Sequence, residues 1–248
     1  MLNLCYNKIV TASEAYDAAA VSARIRTKPA QGAYGKRRKN IMLGVYNYTV
    51  ILTYIGMLTG LAGIGLAMRG GLPWALLCLL LAGLCDMFDG TIASTKKDRT
   101  PQEKRFGVQI DSLSDLICFG VLPAAIVFAA DHGRIVAAVV SGLYVLCALI
   151  RLAWFNVDEE ERQDAAGGGR TLYLGLPVTT VALFLPTLLG LARLMCWPLG
   201  AVGIALLAVM AVAFLLPFKL AKPGLAGKLV MLLIGCTELV VVLLGVKL

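Results

Sequence analysis

The sequence predicts an all-α integral membrane protein, and three observations support this fold class. The chain is 59% hydrophobic, whereas soluble domains contain about 45–50% apolar residues. Charged residues make up only 15% of the 248 residues. Apolar runs recur from Val45 to the C-terminus, each close to the length of about 20 residues that a helix needs to cross a bilayer. We therefore expect one transmembrane domain of packed helices over residues 45–248.

Short turn signals rich in Gly, Pro and Asp divide this domain into seven predicted spans. These spans cover residues 45–67, 73–93, 108–130, 134–157, 174–194, 197–218 and 228–247. Residues 94–106 are predicted to be a loop between the second and third spans. The acidic run Asp158–Glu161 is interpreted as a solvated loop after the fourth span.

Residues 1–44 form the long polar segment of the sequence, with a cluster of Lys and Arg just before the first span. A secretory signal would place a short apolar segment near the start and a small-residue cleavage site after it, and neither is present. We expect a basic cytoplasmic segment that is partly disordered or forms a short helix on the membrane surface.

The positive charges predict the orientation of the spans. With the N-terminus inside, the cytoplasmic segments hold 19 of the 23 Lys and Arg residues, in agreement with the excess of positive charge found on that side of membranes. The residues left outside are Arg69, Arg134, Arg193 and Lys247. This indicates a multi-pass protein of the cytoplasmic membrane. Because the charges fall between apolar spans, the net charge of +8 does not indicate a nucleic-acid partner.

Cysteine and histidine usage excludes several kinds of site. The seven cysteines are odd in number and form no CxxC pair, which excludes the patterns of a disulfide framework or a zinc site. The single histidine, His132, lies in a predicted short loop, so a histidine base or a catalytic triad is not expected. Acid–base chemistry is therefore left to carboxylates.

Four aspartates interrupt the apolar sequence beside the 94–106 loop. Asp86 and Asp89 are three residues apart, and Asp111 and Asp115 are four apart, so each pair lies on one face of its helix. A carboxylate at mid-membrane depth costs about 2.5–3.5 kcal/mol on insertion scales, which predicts a wet cavity, a cation or a metal beside it. Four anionic oxygen ligands without His or Cys suit Mg²⁺ or Mn²⁺.

Two glycines lie one helical turn from these aspartates. Gly90 lies four residues after Asp86, and Gly107 lies four residues before Asp111. Both would let a bulky ligand such as a nucleotide diphosphate approach the backbone. Two other interpretations stay open on spacing alone. The aspartates would neutralise the Lys and Arg residues of the loop, or would form a proton or ion relay in a transporter.

The same residues resemble the signature of the CDP-alcohol phosphotransferases, which runs DxxDGxxAR, a spacer, and GxxxDxxxD. Seven positions match, at Asp86, Asp89, Gly90, Ala93, Gly107, Asp111 and Asp115. The resemblance implies a six-helix core, here with an extra C-terminal span, and a homodimer. It also implies two metal ions that are held by the four aspartates and bind the CDP diphosphate, with Asp115 as general base. The CDP-substrate residues would be Asp86, Gly90, Ala93, Ser94, Gly107 and Asp111.

Two features depart from that signature. Ser94 stands where the family pattern has arginine, and the spacer from Ser94 to Gly107 is twelve residues, several more than usual. We expect Lys96, Lys97 or Arg105 to supply the missing positive charge to the nucleotide phosphates.

Further stretches resemble the phosphatidylserine synthases of that family, at Ile110–Ala124, Arg151–Val157 and Tyr173–Thr180. This implies CDP-diacylglycerol and L-serine as substrates and membrane lipid as a partner, with glycerol phosphate, inositol phosphate or choline as alternative acceptors. Arg151 would either extend its charge to the membrane surface or bind a carboxylate or phosphate. Asn156, five residues on, is a second candidate for the acceptor pocket.

Overall fold

The computed structural model describes residues 44–164 and 172–221, together with Gly235 and Thr237. Most of the predicted N-terminal segment and of the last predicted span lie outside these residues. The described α-helices are α1 Tyr48–Met68, α2 Leu72–Thr95, α3 Pro101–Asp115, α4 Leu122–Ala130, α5 Ile135–Asp164, α6 Val181–Leu194 and α7 Leu199–Leu215. A π-helix over Leu116–Val121 joins α3 to α4 in one rod, and a 3-10 turn over Val178–Thr180 precedes α6.

The predicted all-α membrane class is confirmed for the described part of the chain. Four rods are long and apolar enough to cross a membrane, at Tyr48–Met68, Leu72–Thr95, Pro101–Ala130 and Ile135–Glu161. Val178–Leu194 and Leu199–Leu215 are shorter apolar helices at the positions of the fifth and sixth predicted spans. At a rise of about 1.5 Å per residue, the 17 residues of α7 fall slightly short of a hydrocarbon core of about 30 Å.

The prediction of a loop over residues 94–106 is wrong, because α2 continues to Thr95 and α3 already begins at Pro101. A capping box starts α3: the Glu103 amide donates to Thr100 Oγ1 at 3.1 Å, and the Thr100 amide donates to Glu103 Oε2 at 2.8 Å. Pro101 adds a residue whose ring suits the first helical position. The connection therefore shrinks to residues 96–100.

The interpretation of Asp158–Glu161 as a loop is also wrong, because α5 runs on to Asp164. Glutamate is a good helix former, so charge in this run ends the apolar segment without ending the helix. Gln109 on α3 donates from Nε2 to Glu160 Oε1 at 3.3 Å. The extension of α5 thereby gains a contact with the neighbouring rod.

Small residues let the first rods pack closely. A Cβ placed on Gly63 of α1 would lie 2.8 Å from Cys78 Cβ of α2, so the two backbones approach closely there, as is common between membrane helices. On the other side of the bundle, Tyr144 of α5 and Phe214 of α7 are buried, with ring centroids 5.5 Å apart. The Tyr144 hydroxyl donates to the Phe119 carbonyl within the π-helix.

Several segments meet at one end of the bundle, where the 96–100 connection lies. Asn47, the N-cap of α1, donates from Nδ2 to Glu103 Oε1 at 3.1 Å. A short antiparallel ladder pairs strand β1 (Leu172–Leu174) with β2 (Lys219–Ala221). These strands were not predicted from the sequence. This end also carries the four aspartates.

Candidate active site

The four aspartates come together between α2 and α3. Carboxylate oxygens of Asp86, Asp89 and Asp111 lie within 4.8 Å of one another. The Asp115 carboxyl is within hydrogen-bonding distance of Asp86, and that of Asp111 is within the same distance of Asp89. Each aspartate of α2 therefore faces one of α3.

The donor set of this cluster fits a hard divalent cation. Two ion pairs between described residues join Lys96 to Glu103 and Arg134 to Asp131, and neither involves the four carboxylates. Negative charges at such short distances repel each other strongly in a partly buried site. Mg²⁺ and Mn²⁺ prefer carboxylate oxygens and open positions that water or phosphate can complete. A cation of this kind would reduce the repulsion between the four carboxylates.

Thr53 of α1 orients one of these carboxylates. Its Oγ1 donates to Asp89 Oδ2 at 3.0 Å, and both side chains are buried. Ser114 of α3 donates in turn to the Thr53 carbonyl at 3.3 Å. Outer hydrogen bonds of this type fix the orientation of a ligating carboxylate. Thr53 was not predicted from the sequence, since a threonine in an apolar helix commonly bonds within its own helix.

A cavity of about 630 Å³ lies on one side of the aspartates. We call it the large cavity. Asp86, Asp111 and Asp115 form part of its wall. The remaining lining is largely apolar, with a few polar groups from α2, α3, α5 and the turn before α6. It includes Leu80, Leu84, Met87, Arg151, Leu152, Phe155, Thr179, Thr180, Ala182 and Leu183.

A second cavity, of about 500 Å³, lies beside Asp89 and Asp111. We call it the basic cavity, because four cationic side chains contribute to its wall. These are Lys96, Lys97, Arg99 and Lys104. Gly90, Ser94 and Asp111 line both cavities. The aspartate cluster thus lies at the boundary between a basic and a mainly apolar space.

The other residues of the signature surround the basic cavity. A Cβ on Gly90 would meet no atom within 4 Å, so the backbone is open to a ligand there. Ala93 lines the basic cavity, and Ser94 donates its hydroxyl to the Thr91 carbonyl at 2.6 Å. Gly107 also lines the basic cavity, but the space beside it holds the Arg99 side chain.

The three cations predicted to replace the family arginine have different surroundings. Lys96 lines the basic cavity and pairs with Glu103, with Nζ 3.1 Å from Oε1. Lys97 lines the same cavity and is exposed. Arg105 lines neither cavity. Two cations that the prediction did not single out, Arg99 and Lys104, do line the basic cavity.

The two candidates for the acceptor pocket also differ. Arg151 is 9% exposed, lines the large cavity, and donates from Nε to the Leu176 carbonyl at 3.4 Å. Asn156 lines neither cavity. Its Oδ1 accepts from Ser112 at 2.7 Å, and its Nδ2 donates to Gln109 at 3.3 Å. Asn156 therefore links α5 to α3, whereas Arg151 faces the space beside the aspartates.

Comparison with known proteins identifies the family. The sequence profile of the CDP-alcohol phosphatidyltransferase family matches residues 46–217, which include both cavities except for Gly235. The chain belongs to this family. In this CDP-alcohol phosphatidyltransferase, the aspartates that match the family signature are those that the fold brings together.

Curated relatives from three groups of organisms match about half of the chain. Archaetidylserine synthase of Methanothermobacter thermautotrophicus is 37% identical over 134 residues, covering 54% of this chain and 53% of that protein. The CDP-diacylglycerol–serine O-phosphatidyltransferase of Saccharomyces cerevisiae is 38% identical over 109 residues, covering 43% and 38%. The Helicobacter pylori protein of the same name is 34% identical over 109 residues, covering 42% and 41%. The chain spans about half or less of the length of these relatives.

Proposed function

We propose that this CDP-alcohol phosphatidyltransferase transfers the phosphatidyl group of CDP-diacylglycerol to L-serine, giving phosphatidylserine and CMP. The observation that carries the proposal is the position of the aspartate cluster between the basic and the large cavities. A nucleotide diphosphate requires cations, and a diacylated lipid requires apolar walls. The names of the relatives, which specify serine or archaetidylserine, support serine as the acceptor.

The basic cavity is the proposed site of the CDP moiety. The exposed cations Lys97 and Lys104 line it and would attract the phosphates and donate charge-assisted hydrogen bonds to them. Gly90 leaves the backbone beside the aspartates open to the diphosphate. The acyl chains would extend along the apolar wall of the large cavity, which includes Leu80 and Leu84, toward the surrounding lipid.

Asp86, Asp89, Asp111 and Asp115 are the residues that would hold Mg²⁺ or Mn²⁺, and we propose two such ions. When bound, they would neutralise the diphosphate and stabilise the negative charge of departing CMP. Thr53 keeps Asp89 in one orientation through its hydrogen bond. The protein thereby arranges its anionic ligands before the substrate arrives.

Asp115 is the proposed general base. It lines the large cavity and not the basic one, so it faces the side on which an acceptor can enter. It would accept the proton of the serine hydroxyl while that oxygen attacks the phosphorus bearing diacylglycerol. The bond from this phosphorus to the CMP oxygen then breaks. CMP leaves with the electron pair, and Arg151 would orient the serine carboxylate.

An acceptor assay tests the proposed function. The purified protein would be incubated with CDP-diacylglycerol, Mg²⁺ or Mn²⁺, and one acceptor at a time: serine, glycerol 3-phosphate, inositol 1-phosphate or choline. We expect CMP release and a new phospholipid with serine only. A product from another acceptor, and none from serine, would contradict the assignment. Solute flux across sealed vesicles without CMP release would favour an ion-coupled transporter.

Location and assembly are part of the same proposal. The large excess of Lys and Arg in the segments assigned to the inside supports a multi-pass protein of the cytoplasmic membrane with the active site facing the cytoplasm. We also propose a homodimer, as the family resemblance implies. Water-soluble serine and membrane-bound CDP-diacylglycerol would then meet at the cytoplasmic ends of α2 and α3.

A further inference from the structure

Arg99 occupies a position that the signature does not assign. It lies in the connection of residues 96–100 between α2 and α3, and its side chain lines the basic cavity together with Asp89 and Asp111. Five residues are enough to return the chain from one helix to the next. The same five residues include Arg99, whose side chain reaches the cavity that Asp89 and Asp111 line.

The hydrogen bonding of Arg99 is incomplete. Its Nη2 donates to the Glu103 carbonyl at 3.3 Å, which holds one side of the guanidinium. Its Nε is buried and has no hydrogen-bond partner. Across the described part of the chain, this is the one buried side-chain nitrogen or oxygen without a partner. A buried polar group in this state is costly, and such groups are commonly completed by a ligand or by water.

Gly107 provides the space in which the Arg99 side chain lies. A Cβ at position 107 would come 2.5 Å from Arg99 Nη2, which is closer than nonbonded atoms approach. Any larger residue at this position would displace the guanidinium from the cavity wall. The absence of a side chain at Gly107 therefore leaves room for the Arg99 guanidinium in its observed position.

The neighbouring cations are less suited to hold an anion in one orientation. Lys96 is engaged by Glu103 at 3.1 Å. Lys97 and Lys104 are exposed, and a lysine acts as a flexible point charge. A guanidinium is a planar fork that can donate two parallel hydrogen bonds to a phosphate.

We propose that Arg99 binds the diphosphate of the CDP substrate and supplies the positive charge that the family pattern places at position 94. The inference rests on the proposed function for the identity of its ligand. Ser94 lines the same cavity, so the two positions face one space from different segments. A cation lost from the end of α2 is replaced by one from the following connection.

Binding of CDP to the purified protein in the presence of Mg²⁺ tests the proposal without depending on the acceptor. Arg99→Ala and Arg99→Gln should each weaken CDP binding by about tenfold or more, the range for a lost hydrogen bond to a charged group. Binding of cytidine, which lacks phosphates, should not change. Adding Ser94→Arg to Arg99→Ala should recover part of the CDP affinity.

The controls separate a phosphate contact from a structural effect. Arg69→Ala removes one positive charge from an exposed position between α1 and α2 and should leave CDP binding unchanged. If Arg99→Ala does not elute as a monodisperse protein, CDP binding by Arg99→Gln alone tests whether Arg99 contacts the diphosphate. Wild-type affinity in Arg99→Gln, or equal loss of cytidine and CDP binding, would overturn the diphosphate contact. A double variant without recovery would overturn the exchange between positions 94 and 99.

Serine-dependent CMP release by the wild-type protein is measured alongside. Failure of that reaction, with CDP binding still dependent on Arg99, would reject serine as acceptor and retain the diphosphate contact. Normal serine transfer with CDP binding independent of Arg99 would retain serine as the acceptor and reject the diphosphate contact.

Discussion

Asp115 shares its cavity with Asp86 and differs in this respect from Asp89 and Asp111. Asp89 lines only the basic cavity and Asp111 lines both, whereas Asp86 and Asp115 line only the large one. Asp115 is also the last residue of α3, directly before the π-helix. If the acceptor enters the large cavity, as proposed, a carboxyl that lines this cavity beside a proposed metal ligand is placed to accept its proton.

We expect Asp115→Asn to abolish turnover and to leave metal-dependent CDP binding largely intact. The amide has nearly the same size but cannot accept the serine proton, and general base catalysis contributes about 10²–10⁴-fold to a rate. The measurement is CMP release at saturating serine, with CDP binding measured on the same preparation. Near-normal rates in this variant would remove Asp115 as the base.

Residues within one helix were predictable, and residues brought in from elsewhere were not. The spacing of Asp86 with Asp89, and of Asp111 with Asp115, is enough to place each pair on one helical face. Thr53 comes from another helix, and Arg99 from a connection whose path depends on where α3 begins. Neither has a local pattern that distinguishes it from a packing threonine or a surface cation.

At the scale of the element, helix ends were the weakest part of the prediction. Hydropathy locates apolar residues, but a helix ends where its backbone groups are capped. The Thr100–Glu103 capping box and Pro101 are readable in the sequence and would have moved the start of α3 from residue 108 to residue 101. The π-helix at Leu116–Val121 ends two residues before Pro123, which has no N–H to donate to the Phe119 carbonyl. The Tyr144 hydroxyl donates to that carbonyl instead, and this partner from another helix was not predictable from local sequence.

The packing of α1 against its neighbours gives a second prediction. We expect Gly63→Ala to destabilise the protein by about 1–3 kcal/mol, the usual cost of overpacking. The new methyl would lie 2.8 Å from Cys78 Cβ and 3.0 Å from Leu122 Cδ1, and a Cβ cannot move without its backbone. The thermal unfolding midpoint in detergent measures the loss.

Gly65 is the matched control on the same helix. A Cβ at this position would meet no atom within 4 Å, and alanine favours helix over glycine by about 1 kcal/mol. Gly65→Ala should therefore leave the midpoint unchanged or raise it. Equal midpoints for the two variants would show that α1 does not pack against α2 and α4 through Gly63.

At the scale of the whole molecule, the candidate site depends on how the rods are assembled. The large cavity is lined by residues of α2, α3, α5, α6 and the turn before α6, together with Gly235. The basic cavity is lined by residues of α1, α2, α3 and the 96–100 connection. The sequence predicted the rods and the aspartates that lie between two of them. It did not predict two separate cavities, because the walls come from segments far apart in the chain.

The ends of the bundle provide the last prediction, which concerns orientation. The 96–100 connection follows α2, and the connection that contains Cys196 follows α6. From the charge distribution we expect the first to lie inside the cell and the second outside. A membrane-impermeant maleimide applied to intact cells should therefore label Cys196, which is exposed. It should not label a cysteine introduced by Asp98→Cys in a chain lacking Cys5 and Cys196.

Opening the cells should make the Asp98→Cys variant reactive, because Asp98 is exposed on the protein surface and only the membrane would have blocked the reagent. This step distinguishes an inside position from a buried one. Labelling of the introduced cysteine in intact cells, with Cys196 protected until the cells are opened, would reverse the orientation. The basic cavity would then face away from the cytoplasm that is proposed to supply serine, and the proposed location of the active site would be wrong.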